Sequence, residues 1–221
     1  MTARLAVFDC DGTLVDSQAN IVRAMADCFA RHRLDAPDAH RIRRVVGLSL
    51  VEVMAALLPD GDAALHAALA ADYRDVFQRL RADDRLDPEP LYPGIRDGLD
   101  ALATAGWRLG VATGKSDRGL ALLLDHHGLT SRFATLQTAD RHPSKPHPAM
   151  LRAALREGGA TAGDSVMIGD TVFDMAMATA AGVRAIGVDW GYHEADELHD
   201  AGAGIVVATM DELLRDLLED A

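Results

Sequence analysis

Short, almost wholly apolar runs recur along the chain: "RLAVF" (4–8), "RLGVA" (108–112), "SVMI" (165–168), "VRAIGV" (183–188) and "GIVV" (204–207). Runs of this length, apolar at successive positions rather than alternating, predict strands covered on both faces, as in a parallel sheet. Longer stretches between them carry a helical period. "GIRDGLDALATAGW" puts Ile95, Leu99 and Leu102 on one face and meets Gly106 at its end, a residue suited to a helix C-terminus. "DRGLALLLDHHGL" stops at Gly128, "TVFDMAMATAAGV" at Gly182, and "MDELLRDLLEDA" follows the last run. Strand and helix alternate, which predicts an α/β, doubly wound, Rossmann-like core.

Between residues 16 and 89 the alternation stops. "QANIVRAMADCFARHRL", "SLVEVMAALL" and "DAALHAALAADYRDVFQRLRA" are helical in pattern with no strand among them, and the proline-bearing "RLDPEPLYPGI" leads back. The expected organisation is a core of residues 1–15 and 90–221 with an all-helical insertion at 16–89.

Ligands of parallel sheets sit at the carboxyl ends of the strands, and the polar residues of interest fall there. Asp9 and Asp11 follow the first run, Thr113 and Gly114 the second, and Asp170 follows "SVMIG"; Lys145 lies in the loop "RHPSKPHP". Residues two apart on an extended strand share a side, so Asp9 and Asp11 point into one space. Neighbouring carboxylates repel unless a cation or proton intervenes. Three acids at one rim suit Mg²⁺, and a lysine and a hydroxyl suit phosphate. Acids for a metal and a base for an anion point to phosphoryl transfer, where positioning and charge neutralisation dominate. One aspartate can attack phosphorus, and the other can move protons.

Composition narrows the partners. The formal charge is −12 and 25% of residues are charged, so polyanions are repelled and nucleic acid is not an expected partner. No apolar run reaches membrane-helix length and "MTARLAVFDC" lacks a signal-peptide pattern. Cys10 and Cys28 show neither a disulfide framework nor zinc spacing, which fits a cytoplasmic protein. Monomer and homodimer both stay open.

Four segments resemble the motifs of the haloacid dehalogenase superfamily of phosphohydrolases, in order and across nearly the whole chain: "DCDGTLVDS", "GVATG", Lys145 in "SKPHP", and "IGDTVFDM". The resemblance implies a role for each. Asp9 is the nucleophile and a Mg²⁺ ligand. Asp11 is the general acid/base, its backbone carbonyl on the metal. Thr113 and the Gly114 amide bind the phosphoryl group, and Lys145 neutralises Asp9 and that group. Asp170 is a metal ligand, and Asp174 supports the metal's waters or Lys145. The inserted helices resemble the cap of the branch containing phosphoglycolate phosphatases and β-phosphoglucomutases. In that branch the segment "RRVVGLSL" faces the active site, which makes Arg43, Arg44, Gly47 and Ser49 substrate-contact candidates.

The implied activity is Mg²⁺-dependent hydrolysis of a small phosphorylated metabolite, with 2-phosphoglycolate the first candidate and the arginine pair available to its carboxylate. A sugar-phosphate mutase of the same branch is the alternative. A phospho-aspartate receiver is a third reading, against which the length and the helical insertion count. Lys115 and Ser116 reach either the phosphate or the cap. Asp16 reads as a hinge or helix cap, and Met175 and Met177 as core.

Overall fold

The computed structural model describes residues 3–219. Six strands form one parallel sheet: β1 (Arg4–Phe8), β2 (Trp107–Thr113), β3 (Thr135–Thr138), β4 (Ser165–Gly169), β5 (Arg184–Val188) and β6 (Ile205–Val207). Their order is β3-β2-β1-β4-β5-β6, so β1 is central and the winding reverses beside it. Alternate side chains of each strand enter different cores. Ala6 and Phe8 pack with α5 (Ile95–Thr104), α6 (Asp117–His126) and α10 (Met210–Glu219). Leu5 and Val7 pack with α7 (Ala149–Gly158), α8 (Val172–Ala181) and α9 (Ala195–Asp200). Helices on both faces explain why the strands read as continuous apolar runs. The predicted doubly wound α/β core is the one observed.

β3 did not stand out in the sequence. Its "TLQT" is mostly polar, yet Thr135, Gln137 and Thr138 are buried. Glu157 of α7 satisfies two of them, accepting from Thr135 Oγ1 at 2.7 Å and from Gln137 Nε2 at 2.6 Å. A polar edge strand is stable here because its partners come from a helix some twenty residues on.

Between β1 and α5 lie four helices: α1 (Gln18–Arg31), α2 (Ala39–Arg43), α3 (Leu50–Leu57) and α4 (Ala63–Ala82). They carry a hydrophobic cluster of their own, with Met25 and Phe29 of α1, Met54 of α3 and Leu69 of α4 almost wholly buried. Asp38 and Asp62 start α2 and α4 by accepting from the backbone amides of Arg41 and Leu65, which satisfies donors that a helix start leaves open. The chain leaves and re-enters the sheet unit at adjacent points. Asp16 donates its amide to the Pro90 carbonyl at 2.9 Å, and Tyr92 donates to the Leu14 carbonyl at 3.0 Å. No described helix is long and apolar enough to cross a membrane.

Candidate active site

The carboxyl ends of β1, β2 and β4 converge where the winding reverses, the position at which open α/β sheets bind ligands. Asp9 leaves β1 and is tied to β4 through its amide, which donates to the Ile168 carbonyl at 2.9 Å. Asp170 follows β4, and Asp174 lies one turn into α8. The three are almost fully buried, and each offers an oxygen within 4.8 Å of the others.

Lys145 is the counter-charge. Its Nζ lies 2.6 Å from Asp174 Oδ1 and 2.9 Å from Asp9 Oδ1. The Asp174 contact is a hydrogen bond; the Asp9 contact is an ion pair without hydrogen-bond alignment. Asp174 is occupied on both sides, since its Oδ2 accepts from Thr171 Oγ1 at 2.7 Å and completes the capping box that starts α8. The same aspartate thus fixes a helix start and holds the lysine. Asp170 is oriented by Thr13, whose hydroxyl donates to Oδ1 at 2.6 Å, and by the Tyr192 amide, which donates to Oδ2 at 3.0 Å. Gly12 makes this approach possible: it has a φ of +84°, and a Cβ there would lie 2.1 Å from Asp170 Oδ2.

Electrostatics at this cluster is unbalanced. Burial, and then the neighbouring carboxylates, push Asp170 well above the usual carboxylate range. Burial also raises Asp9, with Asp174 adding to the effect and Lys145 opposing it. Lys145 alone would be lowered by burial, but Asp174 and Asp9 outweigh that and raise it. Three buried carboxylates face one ammonium, and Asp9 Oδ2 is buried with no hydrogen-bond partner among the described residues. An orphaned carboxylate oxygen beside excess negative charge fits a hard divalent cation, and an all-oxygen donor set suits Mg²⁺. Asp9 and Asp170 would hold it; Asp174 is already engaged by Lys145 and Thr171.

The Asp11 side chain turns away from this cluster. Its Oδ1 accepts from Lys115 Nζ at 2.6 Å and from the Ser17 hydroxyl, and the Ser17 hydroxyl lies 3.5 Å from that of Tyr192. Only the Asp11 backbone is therefore left for the metal role that the resemblance implies. Burial would lower the Lys115 ammonium, yet Asp11 raises it.

A cavity of about 140 Å³ opens in front of these groups. Asp9, Asp11, Thr113, Gly114 and Lys115 line it from the sheet side, and Gly47 with side chains of α1, α3 and α4 line it from the other. The helical insertion rests directly on the rim: a Cβ on Gly114 would lie 2.6 Å from the Leu48 carbonyl oxygen and 2.8 Å from that of Gly47. Ser49 donates its amide to Ser144 Oγ at 2.8 Å.

Arg43 and Arg44 do not reach this cavity. Arg44 grips Glu197 of α9 through two hydrogen bonds of 2.6 Å, and Arg43 donates to Gln18 Oε1 at 2.5 Å. Both line a second cleft with Tyr192 and Glu194. The expected contact with substrate is not what this geometry offers, because Arg44 is paired with the partly exposed Glu197 and Arg43 is held by Gln18.

Sequence reasoning missed Thr13 and Ser17 as site residues, set Tyr192 aside as part of a helix-entry loop, and left Lys115 undecided. Thr13 and Ser17 stand within the first motif segment, which was the available signal. Ser116 caps α6, accepting from the Gly119 amide at 3.1 Å.

The comparisons agree with this geometry. A family profile described as haloacid dehalogenase-like hydrolase matches residues 6–188. A probable phosphatase, IndB, of Dickeya dadantii is 37% identical over 214 residues, 95% of this chain and 91% of that protein. A phosphoglycolate phosphatase of Nitrosococcus oceani is 28% identical over 219 residues, 98% of this chain and 97% of its own length. A crystal structure described as a predicted phosphatase from Clostridium acetobutylicum superposes with a TM-score of 0.88 at 27% identity, covering 99% of this chain and 100% of the other. With the four motif segments gathered at one edge of the sheet and the profile spanning most of the sequence, the chain belongs to the haloacid dehalogenase-like hydrolase family.

Proposed function

We propose that this chain, a phosphatase of that family, hydrolyses a small phosphomonoester with Asp9 as the attacking group, Mg²⁺ as the bound cation, and the helices of residues 16–89 as a cap over the site. The observation that carries this reading is a buried Asp9 whose carboxylate oxygens have no hydrogen-bond partner among the described residues, which lies against the Lys145 ammonium and lines the cavity. An Asp9 oxygen bonds to phosphorus as the bond to the alcohol oxygen breaks, and Asp11 gives that oxygen a proton. Water then attacks phosphorus, Asp11 takes its proton, and Asp9 is released with inorganic phosphate. Lys145 stays against Asp9 throughout, Thr113 and the Gly114 amide hold the phosphoryl oxygens, and Lys115 and Ser17 fix the Asp11 carboxylate in place. When bound, Mg²⁺ adds positive charge against the attacking carboxylate and the phosphoryl oxygens.

Relatives named phosphoglycolate phosphatase support 2-phosphoglycolate as the first ester to test. The other support expected from the sequence, a carboxylate held by Arg43 and Arg44, is withdrawn by their position.

The test is phosphate release from a panel of phosphorylated metabolites. At least one ester is hydrolysed, EDTA stops the reaction, and Mg²⁺ restores it. An isomerised ester without free phosphate would replace this reading by the mutase. A phosphorylated chain that never turns over would replace it by the receiver.

A further inference from the structure

The walls of the cavity carry information about the alcohol half of the substrate. Beyond the acids and Thr113, the lining changes character: Ile21 and Met25 of α1, Leu50 and Val53 of α3, and Tyr73 and Phe77 of α4 face the space. Among the described residues, no carboxylate other than Asp9 and Asp11 lines it. Lys115, the cation beside them, is already paired with Asp11. Three arginines also line it, Arg74 and Arg81 from α4 and Arg118 from α6. Arg81 stacks over the Phe77 ring at 5.6 Å, and Arg118 donates to Gln78 Oε1 at 3.0 Å. None of the three has a carboxylate ion-pair partner among the described residues, in a chain whose formal charge is −12.

A two-carbon acid would leave the aliphatic and aromatic wall facing water and gain nothing from it. A carbon body of ring size would dry that wall, and each methylene buried is worth roughly fourfold in binding. Unpaired guanidinium groups suit a carboxylate or a second phosphate.

We infer that the preferred substrate is a phosphomonoester whose alcohol has an apolar body of about ring size and ends in a second anionic group. This rests on the phosphatase reading above. The inner wall selects the body, and the arginines of α4 and α6 select the far end.

The experiment compares kcat/KM for ethyl phosphate, 2-phosphoglycolate, benzyl phosphate and 4-carboxybenzyl phosphate, using the full chain with Mg²⁺. Ethyl and benzyl alcohols are of similar basicity, so their esters differ chiefly in what the cavity can bury. Benzyl phosphate exceeds ethyl phosphate and 2-phosphoglycolate by about tenfold or more, and the 4-carboxylate adds about fivefold. Phe77→Ala brings the benzyl-to-ethyl ratio near one, and Arg81→Gln removes most of the carboxylate gain. Both are ratios within one preparation, independent of how much of a variant is folded. Equal rates for benzyl and ethyl phosphate, a preference for 2-phosphoglycolate, or a carboxylate that gains nothing would overturn the inference while leaving the phosphatase intact. No hydrolysis of any ester would overturn the phosphatase reading itself.

Discussion

Asp9→Asn abolishes turnover, by about 10³-fold or more, and at the same time raises the melting temperature of the metal-free protein. The two effects have one cause. Asp9 is buried among like charges with an oxygen that no described residue satisfies, and burial raises its carboxyl above the ordinary value. In the folded chain it therefore holds its proton more tightly than in the unfolded chain. Its contribution to stability is harmless at low pH, where the carboxyl is protonated in both states. The contribution becomes unfavourable as pH rises above the ordinary carboxylate range, where the unfolded form has released its proton. Asparagine cannot ionise, so the gain is near zero at about pH 4 and largest at about pH 8. Relief of roughly 1–2 kcal/mol corresponds to about 3–6 °C in a chain of this size. Mg²⁺ reverses the order: the wild type gains stability by mass action, and the variant, lacking a ligand, gains less. Thermal melts across pH with and without Mg²⁺ check this. A melting temperature that falls at pH 8 without metal would mean that the Asp9 charge is well compensated as it stands.

Lys145→Met loses activity just as fully but moves stability the other way. Lys145 is among the largest fully buried side chains, and its ammonium is the one cation in contact with Asp9 and Asp174 among the described ion pairs. Removing one member of a buried pair strands its partners, at about 3–5 kcal/mol. The melting temperature falls by roughly 10 °C. A merely catalytic lysine would leave it unchanged, and a solvated surface pair would cost less than about 1 kcal/mol. Opposite shifts for two inactive variants in direct contact are the signature of a site held together by charge imbalance.

Much of this site could be read from the sequence because its chemistry is written at strand ends. "LAVFDCD" announces a buried strand and the acids beyond it, and "SVMIGD" does the same for Asp170. What lay hidden was contact between distant side chains. Nothing in "TGKS" says that Lys115 meets Asp11, 104 positions away. Nothing in "DWGYH" shows the Tyr192 amide fixing Asp170. The arginines of "RIRRVV" carry the right chemistry for a carboxylate, but sequence does not reveal which face they occupy; Glu197 of α9 takes Arg44. β3 escaped because hydrophobic patterning registers apolar strands, and its buried polar side chains are satisfied by Glu157 from outside the strand. The helices of residues 16–89 were legible as helices, whereas the apolar cavity wall they build needed their packing.

During turnover a covalent bond is expected between Asp9 and phosphorus. It is tested most directly by quenching the reaction in acid on the millisecond scale, digesting with pepsin at the same low pH, where an acyl phosphate survives, and weighing the peptide that carries Asp9. The expected peptide is heavier by one phosphoryl group, with the added mass on Asp9, present during turnover and gone when substrate is exhausted. Phosphate release at full rate with that peptide unmodified at every time point would contradict it.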